Sequence, residues 1–74
     1  MKIQLTSCDA ARPDKRAIAK MLEEIAVGVS DFEAVEMTEF LLDGSTVDIE
    51  ISGKNTSSAF RALRKLEIDY EMNE

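Results

Sequence analysis

The sequence predicts an α+β fold, a three-stranded antiparallel sheet covered on one face by helices, and two observations carry that prediction. Three short segments alternate apolar and polar residues with a period of two, and the segments between them space apolar residues three and four apart. Alternation buries one face of a sheet and leaves the other in water, while a helix with a single apolar stripe must lay that stripe against another element. Helices stacked on one side of a small sheet satisfy both demands. A length of 74 residues allows one domain, residues 1–74, whose fold buries roughly 60% of the unfolded surface.

The first strand is expected over residues 2–6, with Ile3 and Leu5 inward. Cys8 follows it as a small, semi-buried residue at the strand end. A first helix then starts near Lys15, because Ile18, Met21, Leu22, Ile25 and Val29 form one stripe. Pro13 suits its first turn and Asp14 complements the helix dipole. Gly28 falls where the period falters, and the run SDFE at 30–33 matches a capping box, with Ser30 at the cap and Glu33 reaching back.

Residues 35–42 admit two readings. A second helix would run to Leu42 and end on a left-handed Gly44. A strand would hairpin through the Asp-Gly pair at 43–44 into the next segment. Phe32, Val35, Phe40, Leu41 and Leu42 fit neither period well.

The second alternating segment, residues 46–52, turns Val47, Ile49 and Ile51 inward. Caps at 55–58 open a last helix with Ala59, Ala62, Leu63 and Leu66 buried and Arg61, Arg64 and Lys65 in solvent. Residues 67–73 close the chain as a strand with Ile68, Tyr70 and Met72 inward. The order is β-α-α-β-α-β, or a ferredoxin-like β-α-β-β-α-β if the hairpin forms, and the first strand is expected at the centre.

Composition excludes several function classes. The chain has no histidine, which removes Ser-His-Asp and Cys-His nucleophile pairs and imidazole metal sites. One cysteine cannot form an internal disulfide, in keeping with a reducing cytoplasm. No apolar run has signal-peptide or membrane-span length. Three glycines form no phosphate-cradling cluster, and no Asp-x-Asp-x-Asp-Gly loop occurs for calcium. The expectation is a chain without cofactor, metal site or catalytic residues, and without direct contact to nucleic acid or membrane.

Charge is distributed unevenly. From Met21 through Gly53 there is no Lys or Arg, while nine carboxylates occur there; the remainder carries nine basic and six acidic residues, and the total is −6. A solvated acidic face would confer solubility. An acidic binding face would steer a basic partner's approach, with Glu33, Glu36, Glu39 and Asp43 as its charges and Phe32, Phe40 and Leu42 as candidate apolar anchors.

The segments KRAIAK (15–20), LEEI (22–25) and GVSDFE (28–33) give this element order a resemblance to the C-terminal domain of the bacterial large-subunit ribosomal stalk protein. They are similar to that family's K-x-x-x-I-K helix start, its x-R-E-I segment and its G-L-K-E-A-K turn. The resemblance implies a docking surface for GTPase-type translation factors on the first two helices, with Lys15 and Lys20 at matching positions and Gly28 matching with a one-residue shift. Glu23 stands where the family carries Arg, and Ser30 and Glu33 replace its two lysines after the glycine. The family's dimerisation segment and hinge have no counterpart in these 74 residues.

The expected function is therefore a small acidic protein-interaction domain that binds through its first two helices. Two other readings stand beside it. One is an acidic inhibitor, of the kind phages encode, that occupies the basic nucleic-acid groove of an enzyme. The other is a ferredoxin-like regulatory domain that binds a small molecule. Exposed apolar residues on so short a chain are also compatible with a homodimer.

Overall fold

The computed structural model describes residues 1–72, and at Asn55 the backbone alone. Strand β1 (Lys2–Cys8) is followed by helices α1 (Lys15–Ile25) and α2 (Asp31–Leu42), strand β2 (Val47–Glu50), a 3-10 turn (Gly53–Asn55), helix α3 (Thr56–Lys65) and strand β3 (Ile68–Met72). The order is β-α-α-β-α-β, so the hairpin at 35–42 and the ferredoxin-like topology both fall. Ser30 accepts from the Glu33 amide while Glu33 reaches back to the Ser30 amide, which commits the segment to a helix. Gly44, at φ 95°, ends it.

All pairings are antiparallel in the order β2-β1-β3, with β1 at the centre. Ile3 lies opposite Ile49 and Met72, and Leu5 opposite Val47 and Tyr70, with an irregularity between Leu5 and Ser7 on the β3 side. The helix-covered face carries Ile3, Leu5, Val47, Ile49, Ile51 and Ile68 into a core completed by Ile18, Leu22, Leu41 and Leu63, all buried. The other sheet face carries Lys2, Gln4, Asp48, Glu50, Asp69 and Glu71.

Several local expectations are corrected. Asp14 is the N-cap of α1, its carboxylate accepting from the Ala17 amide at 3.1 Å, so Pro13 precedes the helix instead of entering its first turn. Val29 lies past the end of α1, half-buried in the turn to α2. Ala62 and Leu66 are half-buried, and Leu66 follows the last residue of α3. Met72 belongs to the inward parity of β3 yet is 59% exposed, being at the strand's far end, whereas Tyr70 is held by a stack on Phe60 with ring centroids 4.9 Å apart. Ser52 caps the 3-10 turn that leads into α3, its hydroxyl accepting from the Lys54 amide at 3.4 Å, and Thr56, the first residue of α3, turns its hydroxyl back to donate to the Gly53 carbonyl at 3.2 Å. The side chain of Asn55 and the strand end expected at Asn73 lie outside the described residues.

Candidate functional site

The turn between α1 and α2 folds the two helices back on one another. Gly28 adopts φ 75°, a left-handed conformation that glycine takes without the Cβ penalty. Next to it the Val27 amide donates to the Glu50 carbonyl at 2.8 Å, and Ala26 bridges Ile51, which ties the turn to the edge of β2. Glu23 meets Asp31 at the turn end of the helix pair, and Lys15 and Glu39 line the same cleft at the other end.

Between the helices runs a cleft of about 360 Å³ whose lining includes Ala19, Val35 and Thr38. Lys15 and Lys20 stand on its α1 side and Glu39 on its α2 side. Lys15 and Glu39 also line an adjoining hollow with Phe40 and Asp43, and Phe40 in turn lines a third with Glu33 and Glu36. Seven of the eight residues expected at a binding face (Lys15, Lys20, Glu33, Glu36, Glu39, Phe40, Asp43) thus share one continuous surface. Gly28 lines none of these hollows; its place is the turn that sets the helices side by side.

Helix α2 is apolar on both sides. Its buried residues, Ala34, Thr38 and Leu41, follow one another at spacings of four and three, and two of the three are small. Thr38 is accommodated because its hydroxyl donates to the Ala34 carbonyl at 2.8 Å. Phe32, Val35 and Phe40 are 72%, 49% and 55% exposed. Outward spacing runs Phe32, Glu36, Glu39, Asp43, with Val35 on the cleft flank and Phe40 on the other. Sequence reasoning singled out Phe32 and Phe40 but missed Val35, Ala19 and Thr38. The signal was present in the failure of residues 32–42 to fit a single period.

Electrostatics divide the surface. Glu23 is raised above its ordinary pKa, first by a hydrogen bond with the Asp31 carboxyl, then by partial desolvation and by repulsion from Asp31 and Glu24, with Lys20 opposing. Away from the helix pair, Asp9 is raised by a hydrogen bond with Asp69, by the negative charge of Asp69, by partial desolvation and by Glu67, while a hydrogen bond from Ser7 to Asp9 works the other way; the Ser7 hydroxyl also donates to Asp69 at 3.1 Å. Among the described residues, no group of three or more His, Cys, Asp or Glu side chains is placed to hold a metal ion. Half-buried Cys8 points its thiol at the Leu66 carbonyl, 3.7 Å away.

Among the described residues no helix is long and apolar enough to cross a membrane. No family model, curated protein or solved structure matches the chain.

Proposed function

We propose that this chain is a non-catalytic interaction domain that engages another protein through α1 and α2. The outer side of α2 carries the reading: Leu41, Ala34 and Thr38 already supply its core contact, with Met37 and Leu42 partly buried beside them, and two phenylalanines and a valine still face water. Exposing each of those side chains forgoes part of about 1.5–3 kcal/mol of burial, a considerable sacrifice for a domain of this size. Exposed aromatics on one helix are the kind of side chain from which interface anchors are made. The single thiol is in keeping with a reducing cytoplasm as the setting.

Two partner classes fit, each favoured by a different part of the surface. Lys15 and Lys20 on the α1 side of the cleft favour a GTPase-type translation factor, following the stalk-like pattern of the sequence. The Lys- and Arg-free stretch from Met21 through Gly53 favours a nucleic-acid enzyme whose basic groove the domain would occupy. Capture of the partner from the native host, followed by amide hydrogen exchange on the complex, tests both. Protection should fall on α1 and α2. A GTPase lost on reversing Lys15 and Lys20 supports the first class, and an enzyme displaced by DNA and lost on reversing Glu36 and Glu39 supports the second. Protection confined to the open face of the sheet would defeat the proposal.

A further inference from the structure

From the chemistry of one face, and resting on the interaction reading above, we infer that the outward side of α2 seats a cationic amphipathic helix of a partner protein. Apolar and acidic groups share this face. Phe32 on the outward row and Phe40 on its flank are two turns apart, about 12 Å along the axis, with Glu36 and Glu39 between them in sequence and Asp43 just beyond. All of these residues are exposed. A helix laid along α2 can present apolar residues at the same two-turn interval, each within reach of one phenylalanine. Its flanking positions then fall over carboxylates, and α2 itself carries no basic residue to oppose Lys or Arg there.

Charge also selects among occupants. A second copy would bring two faces of the same negative sign together in a chain whose net charge is already −6, and like charges across an interface cost affinity. Anionic lipid and nucleic acid meet the same repulsion. Lys15 and Lys20 line the cleft flanked by Val35, and Lys15 also lines the hollow of Glu39, Phe40 and Asp43, so the partner's basic residues fall chiefly over Glu33 and Glu36, whose hollow Phe40 shares.

The probe is a designed 18-residue Leu/Lys peptide with apolar residues at helical spacing, titrated into the isotopically labelled full chain at low and high salt. A Leu/Glu peptide of the same pattern and a Leu/Lys peptide of scrambled order serve as controls. The inference expects amide shifts concentrated on α2 from Phe32 to Asp43, affinity falling at least tenfold at high salt, no binding of the Leu/Glu peptide, and a further tenfold loss in Phe40→Ser with its spectrum otherwise unchanged. Equal binding of the scrambled peptide, or indifference to Phe40→Ser, overturns it, since bare charge attraction would then suffice. So does sedimentation showing a dimer in which Phe32 and Phe40 are protected. If a captured native partner protects α1 and α2 but the Leu/Lys peptide fails to bind, the cationic helix is wrong and the interaction reading survives. If the native footprint lies on the open sheet, both fall.

Discussion

Helices α1 and α2 are nearly the same length, 11 and 12 residues, and lie side by side over the same sheet, yet they use their apolar residues in opposite ways. On α1, Ile18, Met21, Leu22 and Ile25 are all buried, and the surface side is charged. On α2 the core receives Ala34, Thr38 and Leu41, with Met37 and Leu42 partly buried against it, while Phe32, Val35 and Phe40 remain outside. Folding alone explains the apolar residues of α1. The sequence of α2 answers to packing on its inner side and to a second requirement on its outer side, and an apolar residue there is no guide to burial.

The largest expected effect tests the α1 half of that contrast. Leu22 is fully buried under the sheet, and Leu22→Ala removes its isobutyl group at a cost of about 2–5 kcal/mol. Thermal or denaturant unfolding should show a large fraction of the domain's stability lost. An unchanged midpoint would mean that α1 does not carry the core.

On the inner side of α2 the sign of the size change reverses. Ala34 is 1% exposed, so a larger residue has nowhere to go, and Ala34→Leu should cost about 1–3 kcal/mol by overpacking. If the leucine were tolerated or stabilising in denaturant melts, the small residues of α2 would not be there to let the helix approach its neighbours closely.

The same contrast explains what could be read from the sequence. Strands β1 and β2 and helix α1 were legible because each has one buried face and a single period, so Ile3, Leu5, Val47, Ile49 and Leu22 identify themselves. The SDFE capping box marked the start of α2, because a cap is a local arrangement of side chain and amide. The course of residues 35–42 was not legible: an apolar residue on each side cancels the periodic signal, and only tertiary packing decides which side is inner. Charge positions were legible as a run, but the facing of Glu23 on Asp31 and of Lys15 on Glu39 depends on how the Gly28 turn pairs the two helices. Met72 was misjudged because parity sets the side of the sheet but not how far the helices extend over it.

A smaller effect is expected where α2 faces water. Phe40→Ser removes a side chain from a residue that is already 55% exposed, and stability should change by less than about 1 kcal/mol. Unfolding midpoints of Phe40→Ser and Leu22→Ala measured together would sharpen the comparison. Should the two variants lose similar stability, Phe40 would be a core residue and the difference between the helices would disappear.

The smallest effect lies where the two helices meet. The Asp31 carboxyl, through a hydrogen bond and its charge, helps Glu23 to keep its proton to higher pH in the folded state than in the unfolded chain. The native state therefore binds more protons over that interval, and linkage makes stability fall as pH rises from the ordinary glutamate range through the raised value. Below that range the contribution is fully present, and above it the two charges repel. Glu23→Gln removes the titration while keeping the shape of the side chain, so wild type and variant should differ in slope over this interval, with the variant falling less as pH rises. Both proteins share the titration of Asp9, which has the same sign at the other end of the fold, and their difference isolates the helix junction. The magnitude will be small because Glu23 is exposed and solvent screens its neighbours. Denaturant midpoints for the two proteins from about pH 4 to about pH 7 provide the measurement, and curves that run parallel throughout would show that Glu23 and Asp31 do not meet, and that the α1–α2 pairing is looser at its turn than the contrast between the helices requires.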